Sequence, residues 1–439
     1  MSDIIGIKAP ASKSVSHRAF ICAALAEGES LVMDALESDD LIRTRRCLSA
    51  CGASFKKTDR GWEITGIGGQ PIGGANTPAD CNVGESGTTC RLLTAVLAAG
   101  KGLFNVHGEG RMHERPIGQL TSALEPLGPR FHWEGKPGYP PFVIHTQGLA
   151  GGEITIPLDE SSQYLSGILL AAPMAARRML VAIGGEKVVS WPYVSLTLMA
   201  MADFGVDVRV EALEGSEWVK KKFTEVTSVA PGRLLFTVRP SRYRARAYTV
   251  EADWSNASYF LAAGALGPKP VRVRGLRQDS LQGDKAILSI LSAMGAKVEW
   301  DEAGVTVSRG PEGLHGVDVD MGHCPDLVPT VCAAAAQAKG PTTIRNVAHL
   351  RIKESDRLNA CADELRKAGA EATTFEDGLT VKPNPIEAGK IVDFCTYGDH
   401  RMAMSMSLME FAGVDVRLDK PGCVAKSFPG FWDQWRLVR

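Results

Sequence analysis

Apolar residues along the chain follow two rhythms, and one junction between them recurs. A helix-like run ends in Leu or Met, three further residues and a Gly, and a short alternating stretch follows. The junctions are LSACG at Gly52, LEPLG at Gly128, MADFG at Gly205, LSAMG at Gly295, LRKAG at Gly369 and MEFAG at Gly413. Gly at such a place ends a helix in the left-handed conformation that it reaches cheaply. The residues after it, as in Gly205-Val206-Asp207-Val208 and Gly295-Ala296-Lys297-Val298, alternate as a strand does. Further helices are expected to begin near Ser14, Ser86, Ser161, Ser255 and Asp326. The pattern predicts a repeated unit of two strand–helix pairs and a hairpin, in six copies. Three junctions precede residue 230 and three follow residue 290, so two lobes of three units are expected, with Lys220 to Arg246 as the crossover. Helix–Gly–strand junctions also arise in any α/β protein, and spacing alone leaves that alternative open.

Composition narrows the class. At 439 residues the chain exceeds what one core usually supports, which agrees with two lobes. Hydrophobic residues at 44% and charged residues at 23% are ordinary for a globular protein. A formal net charge of −1 argues against a nucleic-acid partner, which calls for surplus positive charge. The opening MSDIIGIKAPASK lacks a basic region followed by an apolar core, so a secretory signal is not expected. No apolar run approaches a membrane-spanning length. The ten Cys form no CxxC, which suits a reducing cytoplasm better than a disulfide scaffold.

Candidate chemistry collects at helix starts. Ser12-Lys13-Ser14 leads into the apolar run Ala19 to Ala26, with Arg18 one turn on from Ser14. The exposed N–H groups and dipole of a helix start attract anions. A second start is Glu85-Ser86-Gly87-Thr88-Thr89-Cys90-Arg91, where Gly87 allows close approach and Glu85 either caps the helix or repels an anion. It is not a P-loop, because GxxxxGK is absent. A third, Ser161-Ser162-Gln163-Tyr164, offers uncharged donors suited to phosphate oxygens. Each has a plainer reading as a capped surface helix.

The remaining charges could supply bidentate anion contacts or be solvated surface groups. They are Arg115, the string Arg351 to Leu358 with Lys353 and Arg357 read on one helical face, His400-Arg401 after Asp399, and Lys426. Asp326, before an apolar helix, reads as a helix cap or an acid of the site. Glu354 stands among cations as a candidate proton donor. No HExxH, Cys/His ligand spacing or GxSxG is present, so neither a metal site nor a nucleophile elbow is expected. No GxGxxG follows a strand, which disfavours a Rossmann sheet.

Taken in order, SKSVSHR, GESGTTCR, ERPIG, SSQYLSG, CPDLVPT, RIKESDRL, GDHRMAM and AKSFPGF resemble the 5-enolpyruvylshikimate-3-phosphate synthases, the 3-phosphoshikimate 1-carboxyvinyltransferases, across essentially the whole chain. The resemblance implies an α/β protein of two lobes, each an inside-out barrel of three βαβαββ units, that close on their substrates. It implies a first lobe over residues 14–247 and a second made of 1–13 and 248–439. It also implies a cytoplasmic, monomeric enzyme of aromatic amino-acid biosynthesis that needs no metal or organic cofactor.

Carried over by motif, Lys13, Ser14, Arg18, Ser161, Ser162, Gln163, Ser190, Tyr193, Asp326, His349 and Lys353 resemble contacts to shikimate-3-phosphate. Lys13, Gly87, Arg115, Gln163, Arg357, Arg401 and Lys426 resemble contacts to phosphoenolpyruvate. Asp326, Glu354, Lys13 and Lys353 match the catalytic groups. Thr88, Arg91 and His400 complete motifs without a firm role. Three positions depart from the family pattern: Glu85 and His349 stand where many members have Asn, and Trp191 where Lys is common. Glu85 is the serious departure, because a carboxylate there would repel an anionic substrate unless a cation pairs with it.

The implied reaction joins the 5-hydroxyl of shikimate-3-phosphate to C2 of phosphoenolpyruvate while C3 gains a proton, and phosphate then leaves the tetrahedral adduct. Three other readings compete with it. They are a related enolpyruvyl transferase with another acceptor, such as a UDP-N-acetylglucosamine enzyme, a catalytically silent anion-binding protein, and RNA phosphate-end chemistry on a similar fold.

Overall fold

The computed structural model describes residues 4–226 and 229–439. Met1 to Asp3, part of the opening read for a signal, and Thr227 and Ser228, within the expected crossover stretch, lie outside them. The chain has a mixed α/β fold in two compact units. One is continuous, Ser12–Val250, and the other joins Met1–Ala11 to Glu251–Arg439.

The continuous unit contains α1 (Lys13–Leu25), α2 (Asp39–Ala50), α3 (Gly87–Ala98), α4 (Gly118–Leu124), α5 (Gln163–Ala171) and α6 (Pro192–Asp203). Its sheets share one arrangement, in which a parallel pair is extended by antiparallel strands. Ala247–Thr249 lies parallel to Glu29–Met33, followed by Gly61–Thr65 and Ser54–Thr58. Ala79–Gly84 lies parallel to Gly102–Gly108, followed by Phe142–Thr146 and Arg130–Trp133. Gly152–Leu158 lies parallel to Met179–Val188, followed by Leu234–Val238, Val208–Glu214 and Glu217–Lys221.

The discontinuous unit contains α7 (Trp254–Leu266), α8 (Ile287–Ala293), α9 (Val328–Ala335), α10 (Arg357–Ala368), α11 (His400–Met406) and α12 (Phe431–Val438). Here Ile5–Lys8 lies parallel to Val271–Arg274, followed by Gly304–Ser308 and Lys297–Asp301. Asp318–Asp320, Thr342–Arg345, Gly378–Lys382 and Glu371–Phe375 repeat the order, and Ile391–Phe394 pairs with Asp415–Leu418 alone. None of the described sheets closes on itself.

Each of the six junction glycines has a positive φ, from 82° at Gly205 to 124° at Gly128. A side chain would be strained there, which explains why the helix-to-strand turn uses Gly. The central helices are buried all round: every residue of α7 is buried, as are eleven of the thirteen in α1. That matches the apolar runs Ala19–Leu25 and Tyr259–Leu266 that make up their later turns, because a helix without a wet face has no reason to be amphipathic. Such a helix meets water only at its ends, so its first turn is where polar chemistry can collect. Met402, Met404, Met406 and Met409 are fully buried, as core packing requires. No described helix is long and apolar enough to cross a membrane.

Candidate functional site

In the continuous unit, side chains tie together the first two turns of five helices. Lys13 Nζ lies 3.1 Å from Asp40 Oδ2 and joins α1 to α2. The Thr89 hydroxyl donates to the Asp40 carbonyl at 3.3 Å and brings in α3. Gln163 Nε2 donates to Thr88 Oγ1 at 3.0 Å, and Arg91 Nη1 to Gln163 Oε1 at 3.1 Å, which adds α5. Arg18 Nη2 donates to the Tyr193 carbonyl at 2.8 Å and its Nε to Thr197 Oγ1 at 2.7 Å, which adds α6. Burial lowers Arg18 to about 10, so it remains cationic at neutral pH.

Caps explain why these starts fall where they do. Ser12 caps α1 by accepting from the Val15 N–H, and Ser86 caps α3 by accepting from Thr89. Glu85 is therefore not the cap. Its carboxylate accepts from the Arg111 N–H at 3.3 Å, and its backbone carbonyl accepts from Arg115 Nη1 at 3.1 Å. At Gly87 the space beside the backbone is taken by the Arg115 side chain. A Cβ there would sit 2.3 Å from Arg115 Nη2.

Ser161 and Ser162 are buried just before α5, where the Ser161 hydroxyl accepts from the Gln163 N–H at 3.2 Å. Ser190, before α6, is buried with φ +55°. Trp191 is a packing residue: its indole donates to the Val226 carbonyl at 3.0 Å and its ring lies 6.3 Å from that of Phe236. Beneath the helix starts, His17 Nδ1 bonds Thr44 Oγ1 at 2.8 Å, and Thr44 bonds Thr89 at 2.7 Å. Burial holds the imidazole neutral and lowers its pKa to about 3.

In the discontinuous unit, Asp326, Glu354, Arg357, Arg401 and Lys426 come together. Arg357 is nearly inaccessible and makes three ion pairs: Nη1 to Asp326 Oδ1 at 2.9 Å, Nη2 to Glu354 Oε2 at 3.0 Å, and Nε to Asp399 Oδ2 at 2.8 Å. Arg401 Nη2 meets Asp326 Oδ2 at 2.7 Å, and Lys426 Nζ is 3.8 Å from Glu354 Oε1. Burial alone would raise the Asp326 pKa, but Arg401, Arg357 and Lys353 outweigh it and hold the carboxyl well below its usual range. The same logic raises Arg357: burial opposes its charge, and Asp399, Glu354 and Asp326 win. His349 is buried in the turn Ala348–Ile352, and His400 is buried at the start of α11 with Nδ1 3.7 Å from Asp399 Oδ1.

Two readings of local structure need correction. Lys353 and Arg357 do not share a helical face: residue 353 is extended, Asp356 caps α10, and the helix begins at Arg357. The residues around Lys353 bend because the Asp356 carboxylate takes the Asn359 N–H, which fixes the helix start at Arg357, four residues after Lys353. Asp326 does not cap its helix. It lies in a 3-10 turn, Pro325–Leu327, and both its oxygens face arginines.

The residues that sequence reasoning missed support these groups. Asp40 anchors Lys13, Asp399 grips Arg357 as well as capping α11, and the Tyr259 hydroxyl accepts from Arg401 at 3.4 Å. Asp284, buried with its carboxylate accepting from the Ser255 hydroxyl, is pushed up to about 7 by burial and by Asp326. The only advance signal was a lone acid near a helix start. Among the described residues no group of His, Cys, Asp and Glu is arranged to hold a metal ion.

The sequence profile of the EPSP synthase (3-phosphoshikimate 1-carboxyvinyltransferase) family matches residues 5–435. The 3-phosphoshikimate 1-carboxyvinyltransferase of Marinomonas sp. (strain MWYL1) is 40% identical over 434 residues, covering 98% of this chain and 96% of the relative. That of Methanosphaerula palustris is 41% identical over 433 residues, covering 98% and 95%. A solved EPSP synthase from Acinetobacter baumannii superimposes with a TM-score of 0.75 at 27% identity, covering 100% of this chain and 96% of that one. The chain belongs to the EPSP synthase (3-phosphoshikimate 1-carboxyvinyltransferase) family.

Proposed function

We infer both the reaction and the part that these residues take in it. The chain is a 3-phosphoshikimate 1-carboxyvinyltransferase: it transfers the enolpyruvyl group of phosphoenolpyruvate to the 5-hydroxyl of shikimate-3-phosphate and releases phosphate. The observation that carries the assignment of roles is the cluster in which two carboxylates, Asp326 and Glu354, share Arg357 while Arg401 and Lys426 stand beside them. Phosphoenolpyruvate is a weak electrophile at C2, and addition develops positive charge there, so acids for proton transfer and cations for the anionic groups are both needed.

In this reading Asp326, assisted by Lys353, takes the 5-hydroxyl proton as the oxygen bonds to C2. Glu354 delivers a proton to C3. Arg115, Arg357, Arg401, Lys426 and Lys13 hold the carboxylate and phosphate of phosphoenolpyruvate, with Gly87 giving close backbone approach. Ser161, Ser162, Gln163, Ser190, Ser14, Arg18, Tyr193 and His349 hold shikimate-3-phosphate. Collapse of the tetrahedral adduct returns a C3 proton to the Glu354 carboxylate, expels phosphate and restores the C2–C3 double bond. Buried hydroxyls at the starts of α5 and α6 support the phosphate assignment, because they offer donors without adding charge. The Arg111 N–H donated to the Glu85 carboxylate supports its accommodation near an anion.

The order of a parallel pair extended by antiparallel strands recurs in five sheets, with a parallel pair alone in the sixth, which supports our reading of six βαβαββ repeats, three to a lobe, in an inside-out barrel arrangement. We also infer a monomeric cytoplasmic enzyme. The identity of the relatives, sustained over nearly their whole length, favours this acceptor over another phosphorylated one and over silent anion binding. Phosphate release from phosphoenolpyruvate, measured with and without shikimate-3-phosphate, tests the reading. Release only with both substrates is expected. Release with a different acceptor, or none at all, would refute it.

A further inference from the structure

The described residues contain a buried carboxylate that the transfer reaction does not use. Glu364, two turns into α10, is fully buried. Its Oε1 accepts from the Tyr397 hydroxyl at 2.8 Å, and its Oε2 accepts from the Cys395 N–H at 2.9 Å and from Lys367 Nζ at 2.7 Å. Two of those three donors come from one segment, the turn between strand Ile391–Phe394 and α11. A buried carboxylate is costly unless its oxygens are satisfied, and here the turn provides most of what satisfies it.

That turn is unusual in its own right. Tyr397 and Gly398 follow each other at φ +56° and +67°, and Tyr397 is a bulky residue in a conformation that favours Gly. Asp419 holds the turn from another side, accepting from the Thr396 N–H at 2.8 Å and from its hydroxyl at 2.7 Å. The turn ends on Asp399, which is wholly buried. Asp399 caps α11 at the Arg401 N–H and grips Arg357 Nε, while the Ser355 hydroxyl donates to it at 3.0 Å.

The spacing on α10 links these facts. Arg357, Cys361 and Glu364 stand at i, i+4 and i+7, on one face of the helix. Arg357 meets Asp399, Cys361 Sγ lies 3.7 Å from Met402 Sδ, and Glu364 meets Cys395 and Tyr397. The helix is thus fastened to the turn and to α11 at three successive levels. The top fastening is the arginine that shares both acids.

We propose that Glu364 is a positioning residue for the transfer reaction: by holding the Cys395–Gly398 turn through the Tyr397 hydroxyl and the Cys395 N–H, it sets Asp399, and through Asp399 the placement of Arg357 and Arg401 on the phosphoenolpyruvate carboxylate and phosphate. The inference rests on the assignment of those arginines to phosphoenolpyruvate. Glu364 reaches no substrate itself and acts only through the turn.

The test compares Glu364→Gln, Tyr397→Phe, the double variant and Arg401→Ala in steady-state kinetics with each substrate varied. Glu364→Gln puts an amide N–H against groups that are themselves donors. It is expected to raise KM for phosphoenolpyruvate about fivefold or more while KM for shikimate-3-phosphate stays constant. Tyr397→Phe removes one hydroxyl at a half-exposed position and is expected to raise KM for phosphoenolpyruvate about two- to threefold. In the double variant the tyrosine change should add nothing, because both act through one contact.

An equal rise in both KM values, or additive effects of the two changes, would identify Glu364 as a purely structural residue and overturn the proposal. If Glu364→Gln does not fold, Tyr397→Phe decides alone: a selective rise supports the proposal and unchanged kinetics overturns it. Arg401→Ala separates the two levels of inference. If it leaves phosphoenolpyruvate saturation unchanged, the assignment of the arginines falls and the proposal with it. If it raises that KM while the Glu364 and Tyr397 variants do not, the positioning role alone falls.

Discussion

Asp326 Oδ2 lies 2.7 Å from Arg401 Nη2, so the proposed base and one of the proposed substrate-binding cations neutralise each other. The pairing keeps Asp326 a poor proton acceptor. An anionic substrate group that engages Arg401 would release part of that hold, and the basicity of Asp326 would rise when there is a hydroxyl to deprotonate. Arrival of the substrate and activation of the base then become the same event.

Asp326→Asn accordingly should cut kcat about 100-fold or more, the usual scale for losing a general base, with a much smaller change in either KM. Arg401 and Arg357 keep their other partners in the variant, so binding is largely preserved. Steady-state kinetics with each substrate varied checks this. Near-normal turnover would remove Asp326 from the reaction.

Gly87→Ala places a methyl 2.3 Å from Arg115 Nη2, closer than van der Waals contact allows. The guanidinium has to swing away, since the backbone around Gly87 is fixed by the start of α3. We expect KM for phosphoenolpyruvate to rise about tenfold, equivalent to about 1.4 kcal/mol of binding, with shikimate-3-phosphate saturation unaffected. An equal loss for both substrates would place Arg115 elsewhere in the chemistry.

Asp284 gives a pH signature. Its folded-state pKa of about 7 stands above the ordinary carboxyl value of about 3.9, so the folded protein holds a proton that the unfolded chain has already lost. Stability from this group is complete below about pH 4 and falls as pH rises toward about 7. The loss amounts to at most about 4 kcal/mol at roughly 1.4 kcal/mol per pH unit. Asp284→Asn should flatten that decline, read as the difference between variant and parent in urea unfolding at pH 5 and at pH 7.5. Parallel curves would contradict the raised pKa.

His17 works in the opposite direction along the pH axis. Its folded-state pKa of about 3 lies below the ordinary 6.5, so stability is complete above about pH 6.5 and is lost as pH falls toward 3, where the unfolded chain gains a proton that the fold excludes. In His17→Asn the amide can still reach Thr44 but does not titrate. The variant should be less stable at pH 8, through lost packing, yet lose stability less steeply between pH 6.5 and 4. Denaturant midpoints across that range provide the check.

The helix starts and junction glycines were legible because each rests on a rule that acts within a few residues. The glycines of LSACG and LRKAG mark positive φ, and Ser12 and Ser86 cap the helices that follow them. The site was legible as a set of residue types, and the family resemblance assigned their roles. Pairings across the chain were not legible. Arg357 and Asp399 are 42 positions apart, and Lys13 and Asp40 are 27 apart, so no local pattern joins them. Lys353 misled for a related reason. The charges around it suit a helix, yet one carboxylate at Asp356 moves the start to Arg357.

Strand Ile5–Lys8 has a consequence for how the molecule is made. It precedes the 12–250 segment in the chain but pairs with Val271–Arg274, so it has to remain unpaired until that segment and its partner have been synthesised. The corresponding edge of the sheet at Glu29–Met33 is filled by Ala247–Thr249, the last strand of that segment. The continuous unit thus completes its sheet from its own last strand, whereas the discontinuous unit pairs strands across the intervening segment. Deleting Ile5–Lys8 would therefore damage the unit that carries Asp326 and Arg401, more than 300 positions downstream.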